Sequence, residues 1–161
     1  NKKVDLFTAK EKGKSMFYGQ HTTQVSASKT FSLPEDFLSD INDDLFITQG
    51  FDRNLIIMPE NVFVELYQRV TSMNMADPLA RLLLRLFLGN ATLIPRNSSH
   101  EVTLSEQLLK YAELLCGDMA ILVGQGDHLE LWAQGHWEEQ KVDLLDVSKN
   151  AYRFSSLNLS V

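Results

Sequence analysis

The stretch DLFITQGFDRNLIIMPENVFVEL, from Asp44 to Leu66, decides the fold, because a second stretch repeats it further along the chain. DMAILVGQGDHLELWAQGHWEEQ, from Asp118 to Gln140, aligns with it without a gap. Upstream, FSLPEDFL (Phe31 to Leu38) matches VTLSEQLL (Val102 to Leu109) after a small change of register. The matched positions include Asp44 and Asp118, Ile47 and Ile121, Gly50 and Gly124, Leu55 and Leu129, Phe63 and Trp137, and Glu65 and Glu139. Such internal repetition indicates one supersecondary unit that is used twice.

Each copy has the pattern of a β-hairpin followed by a helix. A glycine stands at the same place in both copies, Gly50 and Gly124, and we expect it to form a turn that needs a positive φ. The strands on either side of these turns are predicted at Leu45 to Gln49 with Asn54 to Met58, and at Ala120 to Val123 with His128 to Trp132.

Helix signals fill most of the rest of the chain. Pro59 and Glu60 open a helix that runs to about Val70, and Asp77 followed by Pro78 is a strong start for a second one. This second helix is almost entirely apolar, so we expect it to be buried between the halves or against another subunit. Weaker patterns predict a strand over 19–25, a short helix over 105–115, a terminal helix over 137–149, and a tail or edge strand over 150–161.

These elements divide the chain into consecutive segments. They are a basic leader at 1–15, a first repeat at 16–70, a connecting helix at 71–90, a second repeat at 91–140, and a C-terminal helix and tail at 141–161. Together they predict an α+β protein whose two halves share one core.

Charge and composition restrict the possible partners. The formal net charge of −6 is unfavourable for a nucleic-acid binder, although residues 1–15 are rich in lysine. This leader is interpreted either as a solvated segment or as a basic arm that reaches phosphates. No apolar run is long enough for a membrane span, and no secretory signal is visible. The lone Cys116 stands among apolar residues, which predicts a buried thiol in a reducing, cytoplasmic compartment.

The sequence contains no set of residues that predicts catalysis or cofactor binding. No nucleophile stands in a recognisable pattern with a histidine and an acid, and no glycine-rich phosphate loop is present. Asp127, His128 and Glu130 could suggest a metal, but two ligands on one strand face without a third are better explained by the hairpin itself. We therefore predict no enzyme activity, no metal and no cofactor.

Several segments resemble the MraZ family of bacterial transcription regulators. They are Met16 to Gly19, Phe31 to Pro34, Asp77 to Arg81, and above all VGQGDHLELW at Val123 to Trp132. The resemblance implies that each repeat is an AbrB/SpoVT-like swapped-hairpin unit and that the two units interleave into a small β-barrel flanked by helices. It also implies ring-like homo-oligomers that act in the cytoplasm, at the nucleoid, on repeated promoter boxes upstream of the division and cell-wall gene cluster.

The resemblance further implies a D-x-x-x-R loop in each repeat, in which the arginine contacts DNA and the aspartate orients it. This chain departs from that motif in both copies. Ser26 and Thr30 occupy the acid and arginine positions of the first loop, and Asn97 and Glu101 occupy those of the second. Glu101 even reverses the charge, so DNA contacts are expected to be altered or weakened.

Other groups around the two loops could contact phosphate instead. Lys29 and Arg96 are candidate cations, and Ser28 and Ser98 are candidate hydrogen-bond donors, although all four also suit an ordinary polar loop. The sequence therefore supports two hypotheses. The first is an MraZ-like DNA-binding regulator with altered or weakened contacts, and the second is a ring- or barrel-forming interaction module that has lost DNA binding.

Overall fold

The computed structural model describes residues 8–11, 14–38, 41, 43–95 and 99–157. The strands are β1 Thr8–Glu11, β2 Lys14–Phe17, β3 Gln20–Gln24, β4 Thr30–Ser32, β5 Leu45–Gln49, β6 Leu55–Pro59, β7 Thr92–Ile94, β8 Glu101–Thr103, β9 Met119–Gly124 and β10 Leu129–Ala133. The helices are α1 Glu35–Leu38, α2 Glu60–Thr71, α3 Pro78–Phe87, α4 Glu106–Tyr111, α5 Gln134–Leu145 and α6 Val147–Phe154, with a 3-10 turn at Ser155–Leu157. The protein is thus α+β, as predicted.

The main sheet is antiparallel and joins distant parts of the chain. Its six strands run in the order β3-β9-β10-β6-β5-β7. Hairpin β5–β6 and hairpin β9–β10 meet at the centre, where β6 pairs with β10. The outer strands cross over, because β3 pairs with the second hairpin at β9 and β7 pairs with the first hairpin at β5. Each hairpin is therefore completed by a strand from the other half of the chain.

The registers of two pairings, β6–β10 and β4–β8, follow the sequence repeat. In the β6–β10 pair, Leu129 lies opposite Ile57 and Leu131 opposite Leu55, so the pairing is centred on Ile56 and Glu130. These two residues are also matched in the repeat alignment. Strands β4 and β8 pair with each other as a separate two-stranded ribbon. That ribbon is centred on the matched residues Phe31 and Val102, so both central pairings follow the repeat.

Two layers of apolar side chains cover the two faces of the main sheet. The larger core includes residues of the ribbon, such as Phe31 and Val102, together with Phe37 of α1 and Leu108 of α4. On the opposite face, Phe46 stacks on Phe63 of α2 with ring centroids 4.0 Å apart. On this face Trp132 of β10 also packs against Trp137 of α5, with centroids 5.7 Å apart. Helices α2, α3 and α5 therefore lie on one face of the sheet, and the ribbon lies on the other face together with α1 and α4.

The predicted closed barrel is not seen in the ranges that the structure describes. Strands β3 and β7 end the six-stranded order, and the ribbon β4–β8 forms a sheet of its own. The ribbon is still tied to the main sheet, because the Thr23 hydroxyl of β3 donates a hydrogen bond to the Ser32 carbonyl at 3.2 Å. The observed architecture is an open antiparallel sheet with a ribbon packed over it.

The two matched glycines have a different role from the predicted one. Neither Gly50 nor Gly124 has a positive φ; in the hairpins this conformation falls on Arg53 and Gly126. They are instead sites of close approach. A Cβ on Gly124 would lie 2.3 Å from the Tyr18 amide nitrogen, and a Cβ on Gly50 would lie 2.2 Å from Asn54 Oδ1.

Several helix boundaries also differ from those predicted. The helix predicted over 105–115 is shorter, because Glu113 takes a positive φ of 54° well before Gly117. The terminal helix breaks at Asp146, whose carboxylate accepts a hydrogen bond from the Lys149 amide at 3.1 Å and so starts α6. The predicted tail consequently begins as helix, and part of the predicted leader forms the β1–β2 hairpin.

Helix α3 begins as predicted and is only partly buried by the described residues, so it does not lie wholly between the halves. Asp77 Oδ1 accepts a hydrogen bond from the Leu79 amide at 2.9 Å, which caps the helix. Only Ala80 and Phe87 of this helix are buried in the chain, whereas Leu79 and Leu82 are exposed by 71% and 59%. None of the helices found in the described part of the chain has the length and apolar character needed to cross a membrane.

Candidate nucleic-acid interface

The two loops that occupy the motif positions lead directly into the β4–β8 ribbon. The first loop ends at Thr30, which pairs with Thr103, and the second ends at Glu101, which pairs with Ser32. Because the ribbon is antiparallel, the loops enter it at opposite ends. A rigid two-stranded unit thus holds both candidate contact sites.

In the first loop, hydroxyl groups stand where the family motif has an ion pair. Ser26 Oγ and Thr30 Oγ1 lie 2.7 Å apart, and Ser28 Oγ lies 2.9 Å from Ser26 Oγ. The backbone closes around them, because the Ser26 amide donates to the Thr30 carbonyl at 2.8 Å and the Thr30 amide donates to Ser26 Oγ at 3.1 Å. The loop keeps a side-chain link between its first and last positions, but the link is neutral.

Lys29 is positioned by its backbone and held by a carboxylate. It has a positive φ of 62°, and its carbonyl accepts a hydrogen bond from the Leu104 amide at 2.8 Å. Its ammonium donates to Glu106 Oε1 at 2.6 Å. The hydrogen bond to Glu106 raises the pKa of Lys29 and lowers the pKa of the Glu106 carboxyl. The Lys29 ammonium, which is the candidate phosphate contact, is therefore already paired with a carboxylate of the same chain.

Neighbouring residues fix the base of this loop. Val25 exchanges backbone hydrogen bonds with the 117–118 segment, since its carbonyl accepts from Gly117 at 2.7 Å and its amide donates to Asp118 at 2.9 Å. Cys116 lies against the same loop, with Sγ 3.9 Å from the Ala27 carbonyl oxygen. The prediction of a buried thiol is wrong, because Cys116 stands in the turn after α4 and is exposed.

The second loop is described only in part. Arg96, Asn97 and Ser98 lie outside the described residues. Glu101 is exposed, and its amide donates to Ser99 Oγ at 3.2 Å. The Leu33 amide donates to the His100 carbonyl at 2.8 Å, which ties this loop to the strand end opposite. A negative side chain therefore projects at this end of the ribbon.

The weak metal pattern of the second hairpin is accounted for by local hydrogen bonds. His128 Nδ1 lies 2.6 Å from Asp127 Oδ1, and Glu130 accepts a hydrogen bond from Trp132 Nε1 at 2.8 Å. In the part of the chain that the structure describes, no group of three or more histidine, cysteine or acidic side chains is arranged to hold a metal ion.

Sequence reasoning missed the residue that changes the chemistry of this interface most. Glu106 occupies the first turn of α4, and it comes from the other half of the chain than Lys29. An acid in a first helical turn suggests only a favourable interaction with the helix dipole. The pairing depends on the crossed strand order, which brings the 26–30 loop against the start of α4.

Most of the chain is similar in sequence to known proteins. No protein-family model matches it. Three proteins named "Transcriptional regulator MraZ" are similar to it. The one from Roseiflexus sp. (strain RS-1) is 29% identical over 123 residues, covering 76% of this chain and 85% of the relative. Those from Herpetosiphon aurantiacus and Clavibacter michiganensis subsp. michiganensis are 28% and 29% identical, covering 76% and 77% of this chain and 85% of each relative.

Proposed function

Because the chain is a divergent relative of the MraZ transcriptional regulators, we propose that it is itself a transcription regulator that binds DNA with weakened contacts. Both ends of the β4–β8 ribbon would face the DNA. Its targets would be promoter repeats of the division and cell-wall gene cluster, which places its action in the cytoplasm at the nucleoid. This proposal is carried by one observation, the neutral link of 2.7 Å between Ser26 and Thr30 where the family motif has an acid and an arginine.

The crossed strand pairing supports an AbrB/SpoVT-like origin for both halves. In a swapped-hairpin unit, each copy contributes a strand to the hairpin of the other copy. Here β3 joins the β9–β10 hairpin and β7 joins the β5–β6 hairpin. We propose that segments 16–70 and 91–140 are the two units and that the ribbon completes a barrel-like core with the main sheet.

Weak individual contacts would be compensated by repetition. The candidate contacts are Lys29 and Ser28 in the first loop and Arg96 and Ser98 in the second, with the lysine-rich leader adding charge. A single copy offers few cations to the phosphates, so its affinity would be low and strongly dependent on salt. Several copies in one ring, each bound to one promoter repeat, would raise the overall affinity through effective concentration.

The exposed faces of α3 and α5 support such a ring. On α3, the exposed Leu79 and Leu82 lie beside Arg85. On α5, the exposed Val142 and Leu145 lie near Glu138, whose carboxylate is paired with Lys141 at 2.9 Å. Both faces are apolar, and they belong to different parts of the chain. A head-to-tail contact of α3 with α5 of the next copy is the kind of interface that can close a ring.

A salt titration on promoter DNA tests the proposed function. The full chain would be mixed with a duplex that carries the promoter repeats, and binding would be followed by fluorescence anisotropy at increasing salt. We expect binding at low salt, a steep loss of affinity as salt rises, and weaker binding to a duplex with scrambled repeats. No binding to either duplex at low salt would contradict the proposal.

The acidic surface favours one alternative function. The net charge of −6 and the exposed Glu101 at the end of the ribbon oppose approach to phosphates. In this alternative, the chain is a ring- or barrel-forming interaction module that has lost DNA binding and assembles with a protein partner. Absence of DNA binding, together with co-assembly with an MraZ protein that retains both motifs, would support it.

A further inference from the structure

The pairing of Lys29 with Glu106 has the geometry of a site that is already occupied by an anion. The ammonium and the carboxylate oxygen are 2.6 Å apart, a distance typical of a charge-assisted hydrogen bond. Lys29 is the only cation in the 26–30 loop, where the resemblance places the DNA contact. The Glu106 carboxylate therefore stands where a phosphate oxygen would bind.

The two side chains can separate without disturbing the backbone that carries them. The positive φ of Lys29 and the hydrogen bond from Leu104 fix the loop, and Ser105 caps α4 by accepting from the Leu108 amide at 3.2 Å. Both side chains reach solvent, Lys29 by 39% and Glu106 by 84%. An exposed pair of this kind contributes little to folding, so exchange of one anion for another is feasible.

We propose that Glu106 is an internal competitor for DNA phosphate at Lys29. In the free chain the carboxylate neutralises the cation of the first loop. On binding, a phosphate oxygen of duplex DNA takes its place on the ammonium, and Glu106 turns out to solvent. The competition lowers affinity for DNA in general and makes stable binding depend on several loops engaging together. This inference rests on the proposed function, because it assumes that the ribbon end faces DNA.

Charge-neutral variants separate this local effect from a change in net charge. Glu106→Gln removes the competing charge and keeps the side-chain shape. Glu60→Gln is the matched control, because Glu60 is also an exposed acid in the first turn of a helix, α2, which packs on the opposite face of the main sheet. Both variants change the net charge equally, and only the first frees Lys29. Lys29→Gln and the double variant Lys29→Gln with Glu106→Gln complete a thermodynamic cycle.

The experiment measures affinity for a short mixed-sequence duplex by fluorescence anisotropy over a salt series, with the full chain. We expect Glu106→Gln to bind about three- to fivefold more tightly at low salt, with a salt slope steeper by roughly 0.9, the value of one additional phosphate contact. Glu60→Gln should gain less affinity and keep the original slope. The double variant should lose the whole gain.

Each other outcome counts against the inference in a distinguishable way. If the unmodified chain binds and Glu106→Gln behaves like Glu60→Gln, the competition does not exist, although the proposed function stands. If the double variant keeps the increase in DNA affinity, the Glu106 carboxylate weakens binding by long-range repulsion of the phosphates and not by pairing with Lys29. If no variant binds DNA at low salt, the inference and the proposed function fail together. Thermal unfolding of each variant verifies that the fold is retained.

Discussion

Ser26 and Thr30 are linked by their side chains at the positions where the family motif has an acid and an arginine. Their side-chain oxygens are 2.7 Å apart at the two ends of a five-residue loop, and the loop backbone is closed by hydrogen bonds of 2.8 Å and 3.1 Å. An aspartate and an arginine at these positions would therefore start from a loop that is already shaped to hold them. Under the proposed function, the absence of charge here would weaken DNA recognition while the loop keeps its shape.

Restoring the charges is the corresponding prediction. We expect Ser26→Asp combined with Thr30→Arg to strengthen DNA binding by about three- to tenfold at low salt, since the guanidinium adds one phosphate or base contact. Anisotropy titrations measure the change, and Ser26→Ala with Thr30→Val is the uncharged control. The same exchange in the second loop, Asn97→Asp with Glu101→Arg, should act in the same direction. Unchanged affinity in both charged variants would show that these loops do not face DNA.

The Lys29–Glu106 pair also predicts a pH dependence. The hydrogen bond from Lys29 lowers the pKa of Glu106 from its ordinary value of 4.5. A lowered carboxyl pKa means that the pair stabilises the fold above pH 4.5 and that this contribution disappears as the pH falls through the lower value. A carboxyl titration by carbon NMR should give a midpoint below 4.5, and Lys29→Met should move that midpoint up toward it. If the Glu106 midpoint were the same in the unmodified chain and in Lys29→Met, the pairing would be contradicted.

At the scale of elements, the hairpins depend on a close approach of backbone to backbone. Gly124 ends β9 and donates a hydrogen bond from its amide to the Gly19 carbonyl at 2.9 Å. A Cβ there would lie 2.3 Å from the Tyr18 nitrogen and 2.4 Å from the Tyr18 Cα. Backbone atoms cannot rotate away, so the two segments would have to separate.

Replacing each of two glycines with alanine tests whether Gly124 is a site of close backbone approach. We expect Gly124→Ala to destabilise the fold by about 1–3 kcal/mol, the usual cost of overpacking a closely packed site. Gly135→Ala is the matched control, because its Cβ would meet nothing within 4 Å in the helix α5. It should stabilise the protein by about 0.4–1 kcal/mol, because alanine reduces the conformational entropy of the unfolded chain. Chemical denaturation measures both values, and equal effects would refute the close-approach argument.

Local signals in the sequence were sufficient for most elements but not for their arrangement. The start of α3 was predictable because Asp77 and Pro78 act within one helical turn, and the hairpin strands were predictable from their apolar runs. That the two halves interleave was expected only from the family resemblance, and strand β7 was not predicted. No local preference encodes pairing between distant strands. For the same reason, the contact of Lys29 with Glu106 was not predicted. Cys116 was wrongly predicted to be buried, because the exposure of a residue depends on which distant parts of the chain pack against it.

At the scale of the whole molecule, the chain carries apolar helix surface that the described residues leave uncovered. Leu79 and Leu82 of α3 are exposed, as are Val142 and Leu145 of α5. Exposed apolar faces of this extent mark interaction surfaces in soluble proteins. These two faces are the ones through which we propose that copies of the chain contact each other.

Introducing a charge on α3 tests the assembly. We expect Leu82→Glu to reduce the mass measured by light scattering after gel filtration, because a carboxylate would be buried in the contact between copies. Leu115→Glu is the control, since Leu115 is exposed to a similar degree and belongs to the turn after α4, not to α3. Circular dichroism should be unchanged in both. An unaltered mass for Leu82→Glu would mean that α3 is not part of the contact.

The crossed strand order has a consequence for how the chain acquires its structure. Among the described strands, β3 pairs with β9 alone, with Gln24 opposite Met119. The intervening residues 25–118 must therefore be synthesised before the partner of β3 exists. Neither half contains all the strands that its own hairpin needs, so a nascent first half has no finished state to occupy on the ribosome. Pairings between such distant segments form slowly, because a long loop must close first. The two halves should therefore gain protection from hydrogen exchange together, late and in one step.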